Sequence, residues 1–257
     1  MSRSSYIMAI CGLVATFAAD STVPTSDEIL ARVEAENSRR HAQLKEYSGS
    51  RQYMLRNLRF GKEAAVGVLM NYRQFEGERF TVLRRSGSDE LNGIIDRVLS
   101  SEAAASVPPE NTRHEITSGN YRAQFLGTEM GGGRNCYVVQ LSPRTKKTYL
   151  ISGKAWVDAE SYAVVRIEGQ FAASVSALVG APRITEDFVE VHGFWLPGHV
   201  RSVTSSLLLG PTELDIAFSD YKVDGDSAVA PGIGLFGSGQ INLSARTMNL
   251  LGAGPTK

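Results

Sequence analysis

The stretch WVDAESYAVVRIEG, from Trp156 to Gly169, places two carboxylates, Asp158 and Glu160, between apolar runs, with Arg166 on the way out. Paired carboxylates are a common means of general acid and base catalysis. Asp-Ala-Glu-Ser is equally the chemistry of a tight turn, in which an aspartate accepts backbone N–H bonds. On that reading Asp158 braces the turn, Glu160 faces solvent, and Arg166 reaches an acid on a neighbouring strand. The other reactive side chains form no constellation. His41, His114, His192 and His199 have no metal-site spacing such as HExxH. Gly131-Gly132-Gly133 lacks the lysine and strand-to-helix setting of a phosphate loop, and reads as a hairpin connection. Cys136 lies in the alternating run CYVVQL, where a buried inert thiol is expected. No catalytic residue, metal or cofactor is assigned, and the chain is read as a non-enzyme.

Two helices and ten strands must position whatever site there is. TSDE at 25–28 has the form of a capping box, and Ile29, Leu30, Val33, Asn37, His41 and Leu44 follow at helical spacing, predicting a helix over about 26–45. Strands are expected at 47–60, 65–75 and 79–85. A second amphipathic helix is expected over 89–105, carrying Leu91, Ile94, Ile95, Val98 and Leu99 and stopped by Pro108-Pro109. Seven strands follow, at 121–126, 135–141, 148–157, 163–170, 187–191, 194–206 and 213–223, separated by turn signals. The helices must cover one face of one large antiparallel sheet, which makes the fold class α+β.

Composition bounds the partners. Lys plus Arg equals Asp plus Glu at 27 each, so no net field directs the chain to nucleic acid. Residues 1–19 read as a secretory signal peptide: an arginine, a 14-residue apolar run, then Ala18 and Ala19. Its removal takes Cys11 with it, leaving Cys136 as the single cysteine and no internal disulfide. Residues 20–224 form the expected domain, and 225–257 a Gly/Ala/Ser-rich tail.

The order of these elements, together with KAWVDAESYAVVRIEG, FVEVHGFWLPGHV and LDIAFSDYKV, resembles the periplasmic lipoprotein-carrier superfamily, LolA-like and including the LolB and RseB relatives. The resemblance covers roughly residues 26–224. It implies a curved, incomplete antiparallel barrel with helices over its concave face and an apolar cavity for acyl chains. It further implies a periplasmic protein of lipoprotein sorting and outer-membrane biogenesis. The alternative it leaves open is an RseB-like envelope sensor that binds an inner- or outer-membrane protein.

Alternation then nominates a cavity lining. On the strands it comprises Tyr53, Leu55, Val68, Met70, Tyr72, Phe80, Val82, Tyr121, Tyr137, Val139 and Leu141. On the helices it comprises Ile29, Leu30, Val33, Ile94 and Val98, with Trp156 placed either under a lid helix or at the rim. Arg144, Lys146 and Lys147 form a candidate patch for an acidic partner or a lipid headgroup. The expected function is binding or carriage of a lipid, lipoprotein acyl chains or another amphiphile.

Overall fold

The structure is a computed structural model, and it describes residues 23–174, 179–208 and 210–223. The expected signal peptide at 1–19 and tail at 225–257 lie outside the described residues. In chain order the elements are α1 (Ser26–Gln43), β1 (Glu46–Asn57), β2 (Lys62–Arg73), β3 (Gly77–Gly87) and α2 (Asp89–Ala105). After a short 3-10 turn at Glu110–Thr112 come β4 (Tyr121–Gly131), β5 (Arg134–Pro143), β6 (Ile151–Asp158), β7 (Val164–Phe171), β8 (Arg183–Val191), β9 (Phe194–Ser206) and β10 (Gly210–Val223).

The local chemistry that starts each element is visible. Thr25 caps α1 reciprocally: its hydroxyl accepts from the Glu28 N–H at 3.3 Å, while the Glu28 carboxylate accepts from the Thr25 N–H at 2.7 Å. Gly132 and Gly133, with φ of 58° and 79°, supply the left-handed pair that joins β4 to β5. β4 runs five residues beyond the stretch its alternation suggests, because Gly127 forms a bulge that lets pairing with β5 resume.

All ten strands join one antiparallel sheet in the order β3-β2-β1-β10-β9-β8-β7-β6-β5-β4. The last strand returns to pair with the first, so the sheet is a meander stitched at β1–β10, and β3 and β4 remain its two edges. It is therefore a curved sheet not closed into a barrel. Both helices lie on its concave face, each over its own apolar cluster. Under α2, Leu91, Ile94, Ile95, Val98 and Leu99 meet Tyr53 and Leu55 of β1, Val66 and Val68 of β2, and Leu214 and Ile216 of β10. Under α1, Ile29, Leu30 and Val33 meet Tyr121, Val139, Leu141, Ala155, Val157 and Ile167.

The sheet has a close backbone approach where β6 and β7 run between the two clusters. Gly153 and Gly169 are paired, and a Cβ added at Gly153 would lie 2.1 Å from the Glu168 carbonyl oxygen. A Cβ on Gly169 would likewise lie 2.5 Å from the Ser152 carbonyl oxygen, so the two backbones approach so closely that only glycine fits at either position. Gly153→Ala is expected to cost about 3 kcal/mol or more in urea unfolding, because the obstructing atom is backbone. Gly119→Ala, whose added carbon meets nothing closer than 3.7 Å, is the control and should change stability by less than about 0.5 kcal/mol.

Candidate functional site

Strand alternation puts Tyr47, Arg51, Tyr53, Leu55 and Asn57 of β1 on the concave face, opposite Val223, Phe218, Ile216, Leu214 and Thr212 of β10. One member of this row is charged. Arg51 is 3% exposed and lies beneath the C-terminal turns of α2, where Glu102 is 2% exposed. Arg51 Nη1 donates to Glu102 Oε2 at 2.9 Å and to Glu78 Oε2 of β3 at 3.1 Å, and its Nη2 donates to Glu78 Oε1. Tyr53 donates to the same Glu102 oxygen at 2.6 Å, and Tyr47 donates to Glu78 at 3.3 Å. The Phe80 and Phe218 rings lie 5.1 and 5.0 Å from the guanidinium carbon, completing its cage with two π-faces.

This cluster ties α2 to the sheet, and it is electrostatically incomplete. One guanidinium faces two carboxylates, and burial lifts the Glu102 carboxyl to about 7 against the pull of Arg51. Arg51 Nε and Glu102 Oε1 have no hydrogen-bond partner among the described residues. Buried polar atoms left unpaired each cost on the order of 1–3 kcal/mol, which hydration would return if α2 moved away. We call this cluster the latch, since it joins α2 to the sheet through charged groups that are only partly paired.

Next to the latch, at the end of the sheet, lies an open and mainly polar cleft of about 500 Å³, to which Glu46, Ser48 and Asn71 also contribute. Tyr47, Tyr72, Gly77 and Val223 lie along it, and Arg73, Arg79, Glu76 and Lys222 border its mouth. Tyr47 and Tyr72 stack at 4.9 Å. The same corner holds the end of α2, because Ser106 Oγ accepts from the Glu78 N–H at 2.6 Å and a side chain on Gly77 would collide with Ser106. The end of α2, the Arg51 cluster and the cleft are contiguous.

The residues nominated from sequence divide between these regions. Tyr53, Leu55, Val68, Ile94 and Val98 come together under α2, with Phe80 packed against them, and Met70 is fully buried nearby on β2. Ile29, Leu30, Val33, Tyr121, Val139 and Leu141 come together under α1, with half-buried Tyr137 beside them. Tyr72 lines the cleft. Val82 lies on the same face as Val68, but at the sheet edge it is 39% exposed and outside both clusters. Trp156 is not brought to the concave face. It alternates with buried Ala155 and Val157, its Nε1 donates to Glu129 at 3.0 Å, and Arg166 stacks on its ring at 5.6 Å. Arg144 braces β4 by donating to the Ser118 and Tyr121 carbonyls at 2.7 and 3.1 Å, whereas Lys146 and Lys147 are exposed.

The acids of the opening motif do what turn chemistry requires. Asp158 accepts from the Ser161 N–H and hydroxyl at 3.2 and 2.6 Å, the Glu160 side chain is exposed, and Arg166 reaches Asp187 of β8 at 2.7 Å. Burial raises the Cys136 thiol to about 11, as suits an inert core residue. His41 pairs with Glu115 at 2.5 Å, and His199 with Asp215 at 3.0 Å. What sequence reading missed is the latch. Its signal was Glu102, which falls three and four residues after Leu99 and Val98 on an apolar helix stripe, and Arg51, in phase with Tyr53 and Leu55.

No family model matches the sequence, and no curated protein matches it. The chain is similar to several solved structures. An outer membrane lipoprotein-sorting protein domain from Vibrio parahaemolyticus shares 13% identity at a TM-score of 0.39, over 77% of this chain and 93% of that one. A DUF1329 family protein from Desulfovibrio piger shares 9% at 0.40, over 80% and 96%. A LolA superfamily protein from Nitrosomonas europaea shares 12% at 0.35, over 80% and 96%.

The latch has a measurable pH signature. The Glu102 carboxyl is raised in the folded state, so its contribution is fully present below about pH 4.5 and is lost as pH rises through about 7. His114 works oppositely: desolvation holds its ring down at about 4, so its contribution grows as pH rises towards 6.5. The difference between Glu102→Gln and the wild type isolates the carboxyl. In urea unfolding the variant is expected to gain on the wild type, by on the order of 3 kcal/mol, between acid and mildly alkaline pH. Parallel pH profiles would contradict the assignment.

Proposed function

We propose that this protein is a non-enzymatic, extracytoplasmic binding or carrier protein, exported to the periplasm. It shelters a lipid, the acyl chains of a lipoprotein or another amphiphile against the concave face, with α2 as the lid. The observation that carries the reading is the latch: a buried, incompletely paired Arg51–Glu102–Glu78 cluster under a helix whose remaining inner face is apolar. A permanent core gains nothing from such a cluster, since apolar residues of similar volume are commonly as stable or more so. A helix that leaves and returns gains a register mark and a reason to open.

Magnitudes fix the kind of ligand. Leu91, Ile94, Ile95, Val98 and Leu99 are buried on α2, and exposing such side chains costs about 2 kcal/mol each, or roughly 10 kcal/mol together. A buried methylene returns about 0.8 kcal/mol, so about a dozen are needed to take the helix's place. Long acyl chains satisfy this and short ones do not. The contact residues proposed are Tyr53, Leu55, Val68 and Met70 with Ile94 and Val98, reached through the cleft at Tyr47 and Tyr72.

Palmitoyl lysophosphatidylcholine, whose charge is constant over the range used, is the direct probe. Isothermal titration below its micelle threshold is expected to detect binding that is absent for the hexanoyl analogue. Affinity should strengthen more than tenfold from acid to mildly alkaline pH, as deprotonation of Glu102 populates the open state. Glu102→Gln should lose that dependence while still binding. Absence of binding by the palmitoyl probe at every pH would remove the carrier reading.

A further inference from the structure

The strands run up and down, so the β1–β2, β5–β6 and β9–β10 connections all emerge at one end of the sheet. Two of them are side by side, because β1 pairs with β10, and both present large apolar side chains to solvent. Leu58 and Phe60 are each 55% exposed at the first tip, and Leu207 and Leu208 are 72% and 59% exposed at the second. Single exposed leucines are ordinary, but four together on adjacent tips are not.

The polar groups of these tips are satisfied from within. Arg59 Nη1 donates to the Leu207 and Leu208 carbonyls at 3.3 and 3.2 Å. Asn57 Oδ1 accepts from the Arg59 and Phe60 N–H groups at 3.1 and 2.9 Å, and the Leu58 N–H donates to the Pro211 carbonyl at 3.0 Å. A turn that is to stay hydrated needs no such provision; one that enters an apolar phase does, because each unpaired backbone group there costs several kcal/mol. The β5–β6 connection on the same end carries Lys146 and Lys147, exposed and forming none of the ion pairs found among the described residues. Apolar tips on an end that also carries exposed cations are complementary to a negatively charged lipid surface.

We propose that this end of the sheet is a docking surface for a bilayer containing anionic phospholipid. Leu58, Phe60, Leu207 and Leu208 enter the boundary between headgroups and acyl chains, and Lys146 and Lys147 lie over the headgroups. The inference stands apart from the carrier reading, since it uses none of the residues under α2.

The test is flotation of the protein with vesicles of phosphatidylcholine, with and without phosphatidylglycerol. The protein is expected to float with the mixed vesicles and to be released by salt. F60S/L207S should weaken binding at least tenfold, and K146E/K147E should abolish the advantage of the anionic lipid; both pairs are exposed, and unchanged unfolding midpoints verify the fold. Phe60→Trp should shift its emission to the blue on the mixed vesicles. Failure to float, or equal flotation of F60S/L207S, overturns the proposal. So does a dimer in light scattering that L207S converts to monomer, since the tips would then belong to a second copy.

Discussion

A ten-stranded antiparallel sheet that curls without closing leaves a concave apolar face, and everything else in this chain answers that constraint. A small closed barrel of about eight strands can fill its interior with its own side chains. Here β3 and β4 stay apart as edges, so the interior is completed by α1 and α2. Covering by helices differs physically from filling by strands. A strand is held by a ladder of backbone hydrogen bonds, whereas a helix keeps its own and is held to the sheet through its side-chain contacts.

The two helices meet this constraint differently. α1 buries three aliphatic residues but is pinned along its length: Ser26 accepts from Phe125 of β4, Arg39 donates to the Gly193 carbonyl, Arg32 lies over Tyr162 and His41 pairs with Glu115. α2 buries more apolar surface; its deepest polar tie is the cluster of Arg51, Glu78, Glu102 and Tyr53, with Asn92 donating to the Ser86 carbonyl and Asp96 and Glu90 pairing with Arg85 and Lys62 nearer the surface. That cluster has one cation for two acids and two unpaired atoms. The helix with the greater hydrophobic hold thus carries the incompletely paired cluster, and the proposed lid movement would trade that apolar burial against hydration of the charges.

Much of this was legible before any coordinates. The stripe from Leu91 to Leu99 with the diproline beyond it marks α2 at Asp89–Ala105, and the alternation of 163–167 places Arg166 where it meets Asp187. Alternation could not reveal that β10 returns to β1, because pairing between segments more than 150 residues apart leaves no local trace. Leu214 and Ile216 were therefore absent from the nominated lining although they lie at its centre. Period also gives a face without giving an edge, which is why Val82 points inward yet stays exposed. Trp156 is opposite in phase to Val157, and that phase puts it on the outer face. Arg51 and Glu102 were missed for a related reason: a charge on an apolar stripe reads as an irregularity until its partner, far along the chain, is known.

The central claim is that α2 departs while α1 stays. Amide hydrogen exchange with and without palmitoyl lysophosphatidylcholine addresses it directly, since amides of a displaced helix lose the protection that packing gives. The account predicts that exchange across residues 91–102 accelerates in the complex while residues 29–40 remain protected. Protection of residues 91–102 that is unchanged or increased with the lipid bound would contradict it.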